Sequence, residues 1–157
     1  MQNVVLSCAL FLLLPIVMIG CHGMRPPHLG VNDGRLAPCP YSPNCVSSQS
    51  TDASHSVAPL TYSGRAADAI KKLTAIVQTF PRTSVITISD SYLHAEFTSA
   101  IFRFVDDVEF LVDDTAQVIH VRSASRMGYS DLGVNRKRIE TIRQRWQKRP
   151  PARPPCS

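Results

Sequence analysis

The chain is expected to fold as a small α+β domain, a four-stranded antiparallel meander with two main helices packed on the sheet. Three observations predict this. Residues 65–80 and 136–148 repeat apolar side chains at three- and four-residue steps, the period of a helix face. Four runs between 85 and 126 alternate with the period of a strand. Turn-forming residues join those runs, so hairpins are the economical connection.

Ahead of the domain stands an address. Val4 to Ile19 is an almost unbroken apolar run, the length of a signal-peptide core and short of the ~20 residues a membrane-crossing helix needs. It ends in Met18-Ile19-Gly20-Cys21, which resembles a bacterial lipobox, whose cysteine is acylated when the leader is removed. Met18 stands where leucine is usual and Met1-Gln2-Asn3 carries no Lys or Arg, so an uncleaved anchor or a leader cut elsewhere are the alternatives. The reading is a signal peptide over 1–20, a membrane partner through acylated Cys21, and a location on the periplasmic face of the cell envelope. Residues 21–37, with Pro26-Pro27, three glycines and no periodicity, are expected to be a flexible tether.

The single domain is expected over 38–148. It opens with Cys39 and Cys45, which in an oxidising compartment read first as a disulfide closing a tight loop, with free thiols or a metal site as competitors. No second Cys or His pair stands at ligand spacing, since His22, His28, His55, His94 and His120 are scattered singly, and neither metal nor cofactor is expected. The Ser-rich passage 47–57 has no regular pattern. Ala66, Ile70, Leu73, Val77 and Phe80 then share one helical face, with Ser63 as the expected N-cap and Pro81 as the stop. Val85 to Ile88 and Tyr92 to Thr98, joined by Ser89-Asp90-Ser91, read as a hairpin that puts His94 and Glu96 on one face.

The stretch from Phe102 to Arg138 holds the unusual residues. The even positions from Phe102 to Val112 share a strand face, and all but Asp106 are apolar. An unpaired carboxylate there would cost several kcal/mol, so Asp106 needs a partner. Arg122 or Arg126 is the expected counter-ion; the other reading makes Asp106 an acid that serves a ligand or acid/base work beside Ser123, Ser125 and Arg126. Arg103, Asp107 and Glu109 opposite carry the signature of a solvated side; the other reading joins Asp107 and Glu109 with His94 and Glu96 in an open carboxylate cation site. After the turn residues Asp113 to Ala116, the alternating run from Val118 to Ser125 reads as the next strand, with Arg126 past its regular part and freer to turn inward. A loop with Gly128, Ser130, Asp131, Gly133 and Asn135 then leads into a helix that carries Ile139, Ile142 and Trp146 on one side.

The net charge of +5 is local: residues 136–157 hold eight Lys/Arg and one acid (+7), against nine Lys/Arg and eleven acids in residues 1–135 (−2). An exported chain seldom meets nucleic acid, so none is expected as partner. Anionic lipid is the functional reading of the basic helix, each nearby cation contributing about 1 kcal/mol at best; a solvated helix face is the other. Residues 149–157 read as a disordered Pro/Arg tail.

Three motifs in order, PCPYSPNCVSSQ, VDDVEF and RSASRMGYSDLGVNRKRIE, resemble an uncharacterised bacterial and plastid family, the DUF1499 domain of unknown function, from about Pro38 to Arg143. The resemblance implies a single domain and supplies no catalytic residues. The candidate binding surface is therefore read from the residues alone: Asp106, Ser123, Ser125, Arg126, Asp131 and Asn135. The expected role is a non-catalytic envelope module that binds a small ligand or protein partner. The alternative is a small hydrolase-like enzyme using Asp106 with Ser123 or Ser125 and Arg126, although neither serine has a G-x-S-x-G setting.

Overall fold

A computed structural model describes residues 23–148. In chain order the elements are β1 (Val31–Asn32), β2 (Arg35–Leu36), β3 (Cys45–Ser47), β4 (Leu60–Thr61), α1 (Ala66–Val77), β5 (Thr83–Ile88), β6 (Tyr92–Thr98), β7 (Val105–Asp113), β8 (Val118–Ser125) and α2 (Val134–Gln147). The leader, Cys21 and the tail from 149 lie outside the described residues. Among the described residues no helix is long and apolar enough to cross a membrane.

β5 to β8 pair in sequence as antiparallel neighbours, and α1 and α2 complete an α+β fold. The sheet nevertheless has six strands rather than four. β3 and β4 both add to the free edge of β8, at Cys45↔Ala124 and Leu60↔Ile119. Segments of two or three residues in Ser- and Pro-rich sequence carry no readable alternation; they are extended because β8 offers unpaired backbone groups. β1 and β2 form a separate hairpin.

Both helices lie on one sheet face. Ala69, Ile70, Leu73 and Val77 of α1 and Ile139, Ile142 and Trp146 of α2 meet Leu93, Ala95, Phe97, Val108, Phe110, Ile119 and Val121 in a single core. Burying a large apolar side chain stabilises by about 1.5–3 kcal/mol, so this layer dominates the folding energy. Ser63 does not cap α1; Arg65 precedes the helix without a side-chain cap bond and pairs with Asp68 at 2.9 Å. The arginines of α2 hold the helix down. Arg136 donates to the carbonyls of Ser54 and Ser56, both at 2.7 Å, Arg143 donates to those of Ala58 and Pro59, and Arg145 lies 3.9 Å over the Phe80 ring. The irregular passage before β4 leaves carbonyls without ladder partners, and these guanidinium groups satisfy them.

The opposite face is covered by the segment expected to be a tether. Residues 23–40 form a strap along it: Arg25 reaches Glu96 at 2.6 Å, the Gly30 amide donates to Glu109 Oε1 at 2.7 Å, and Leu36 is buried. The expected Cys39–Cys45 disulfide is present and ties the end of the strap to β3. β7 begins at Val105 and not at Phe102, because Arg103 adopts a left-handed backbone (φ 58°) that breaks the alternation. Phe102 and Phe104 consequently lie exposed in the preceding loop, off the core face where the alternation places them.

Candidate functional site

Two polar clusters occupy opposite faces of β7. On the helix-facing side, register sets Asp106 opposite Ser125, two pairs along from Val108 and Ser123. Asp106 is bound by Arg138 from α2, neither by Arg122 nor by Arg126. Arg138 also donates to Asn135 Oδ1 at 2.6 Å and Ser123 Oγ at 3.0 Å and lies 4.8 Å over the Phe97 ring. Asn135, fully buried in the first turn of α2, is the hub: it accepts from Ser123 Oγ and donates to Ser125 Oγ and to the Asn44 carbonyl, each at 3.0 Å. Asp131 is the helix's anchor, accepting the Gly133 amide at 2.9 Å and the Asn135 amide at 2.7 Å, where a negative charge is favourable at a helix start. Five of the six expected site residues thus meet in one network, and its donors and acceptors are turned on one another.

Arg126 belongs to the second cluster, beneath the strap. Its guanidinium grips Asp107 through Nε (2.8 Å) and Nη2 (2.7 Å) and also bonds Glu96. His94 Nε2 donates to Asp107 Oδ1 at 2.8 Å. Arg122 Nη1 donates to Glu109 Oε2 at 3.0 Å, and the Tyr92 hydroxyl donates to Glu109 Oε1 at 2.8 Å. Asp107 and Glu109, expected on a solvated face, are buried. Burial pushes the Asp107 carboxyl up, but hydrogen bonds from Arg126 and His94 outweigh it and hold the group below its ordinary value. Glu96 is held down in the same way, burial being outweighed by Arg126 and Arg25. Burial, then the Glu109 charge, pushes the Tyr92 phenol above its ordinary value, which keeps it a donor.

His94, Glu96 and Asp107 offer ligand atoms within 4.8 Å of one another, a donor set of the kind that holds a metal ion. In this fold the Arg126 guanidinium takes the cation's place between the two carboxylates. A cavity of about 490 Å³ opens beside the cluster, walled by Pro26, His28, Ala37 and Pro38 of the strap, by Asp107, Arg122 and Ala124 of the sheet, and by Arg126 just past β8. Arg122 Nε is buried and has no hydrogen-bond partner among the described residues.

The sequence pattern of DUF1499, described as a protein of unknown function, matches residues 35–146, well over half of the chain. The chain belongs to the DUF1499 family. No curated protein matches it. The DUF1499 match takes in both clusters and excludes Arg25 and Gly30, the strap residues that close over the second. Within this DUF1499 domain Arg138 and Asn44 were missed as partners of the first cluster and Tyr92 as a member of the second, and Arg122, expected beside Asp106, pairs with Glu109. The pleat did put His94, Glu96, Asp107 and Glu109 on one face. The missing signal was that this face has a cover.

Proposed function

We propose that the protein is exported, is held at a membrane of the cell envelope by acylated Cys21, and binds a small ligand or protein partner without transforming it. The observation that carries the binding reading is the cavity under the strap, with Arg122 and Arg126 in its wall. The apolar walls from Pro26, Ala37, Pro38 and Ala124, with Asp107, Arg122 and Arg126 at the polar side, suit a small molecule with an apolar body and a polar end, such as a carboxylate, that the guanidinium groups meet. The hydrolase alternative is disfavoured because Asp106, Ser123 and Ser125 are bonded to Arg138 and Asn135, a network that catalysis would have to break.

Thermal unfolding of the full-length protein with a panel of small apolar carboxylates tests the reading. At least one compound should raise Tm, and Ala37→Leu, which narrows the cavity, should suppress that rise. No shift across the panel, or equal shifts in both proteins, defeats it. Ester turnover that disappears in Ser125→Ala would put the enzyme in its place.

A further inference from the structure

One end of the sheet collects exposed apolar side chains that neither the core nor the cavity uses. The loop between β6 and β7 and the loop between β8 and α2 leave the sheet together, joined where the Arg126 amide donates to the Val105 carbonyl at 3.1 Å. The first loop presents Ile101 and Phe102, 75% and 68% exposed, with the Phe102 ring stacked on Phe104 at 5.6 Å. The second presents Tyr129 and Leu132, 76% and 95% exposed. Single exposed apolar residues are ordinary on a protein surface, whereas several gathered at one end mark a contact.

The course of the chain says what that contact is. Gly23, where the described structure begins, passes beside Arg126 and Met127 at the root of the second loop, so close that a Cβ there would lie 3.1 Å from their side chains. Cys21 precedes it by two residues, a reach of at most ~7 Å of extended chain. An acyl group on Cys21 therefore enters a bilayer close beside these loops. Arg82, which donates to the Thr98 carbonyl at the same end, and Arg103 are exposed and match anionic headgroups. Aromatic rings with apolar neighbours suit the level of the headgroups.

We propose that this end is a membrane-docking face, on which Phe102, Tyr129 and Leu132 enter the interface of an anionic phospholipid bilayer and stand the domain upright on it. The proposal rests on the anchor reading above, because the acyl chain sets which end meets the lipid. α2 ends away from these loops, where Trp146 Nε1 donates to the Thr61 carbonyl, so the only tryptophan sits far from the docking face.

Full-length Phe102→Trp and Leu132→Trp variants, placed in vesicles of phosphatidylethanolamine and phosphatidylglycerol with brominated acyl chains, test it. Both positions are exposed, so the fold tolerates the change, and Trp146 serves as the internal unquenched signal. The added emission of both variants should be blue-shifted and largely quenched, while that of Trp146 persists. Added emission that stays unquenched in either variant overturns the proposal, as does a blue shift that depends on protein concentration and not on vesicles, which would assign the patch to a second copy of the chain. Labelling cells with a fatty-acid analogue, wild type against Cys21→Ser, tests the anchor separately. Equal labelling of the two sinks the anchor reading and with it the ground for a lipid occupant, whereas unquenched tryptophans on a labelled protein sink the docking face alone.

Discussion

A carboxylate on the core face of a strand survives only with a counter-ion close enough to replace its lost hydration. For Asp106 that ion is Arg138, 32 residues along the chain and carried by α2. The flanking pattern places Asp106 among core residues, but it cannot say which arginine arrives, because Arg122 and Arg126 are near in sequence and turn to the opposite face. Asp106→Ala leaves the Arg138 guanidinium, only 11% exposed, without a counter-charge. The expected loss is about 3–5 kcal/mol. Asp106→Ala with Arg138→Met should regain part of it, since contacting pairs are non-additive. Denaturant midpoints for the wild type, both singles and the double measure this; a loss below ~0.5 kcal/mol in Asp106→Ala, the range of ordinary surface changes, would show that the pair does not stabilise the domain.

At the level of elements the strap carries the main lesson. Its sequence has the prolines, glycines and missing periodicity of a linker, yet Gly30 and Arg25 supply donors to two acids that β6 and β7 turn toward it. Both helices and the four long strands were legible from their periods, because those periods reflect burial against one continuous core. The strap, β3 and β4 were not, since their order comes from partners distant in the chain. Reading Asp107 and Glu109 as solvated followed from the same gap: polarity signals exposure only where nothing covers the face. The Cys39–Cys45 bridge is what makes the strap's end permanent. Closing so short a loop stabilises by roughly 2 kcal/mol in the chain-entropy view. Cys39→Ser should lower the unfolding free energy from denaturant titration by that much. It should also speed hydrogen exchange at the Gly30 amide more than at the amides of β7, which denaturant-dependent exchange resolves. Equal acceleration at both would mean the strap opens only with the whole domain.

Over the whole molecule these buried ions make stability depend on acidity in two windows. Burial pushes the His120 imidazole below its ordinary 6.5, against the opposing charge of Asp113. As pH falls below that value the unfolded chain binds a proton that the folded chain binds less readily, so stability declines with acidification there. Glu96 and Asp107 act lower down. Their folded carboxyls lie below the ordinary 4.5 and 3.8, so the stability they contribute is fully present above about pH 4.5 and is lost as pH falls through their folded values. Urea titrations from neutral to strongly acid pH should therefore show a shallow decline starting near 6.5, then a steeper one below about 4.5. His120→Gln should flatten the first step and leave the second. Glu96→Gln should flatten the second, with the first unchanged, because Arg126 then holds one carboxylate that titrates and not two. A single decline that neither variant alters would place the acid sensitivity outside the layer between the strap and the sheet.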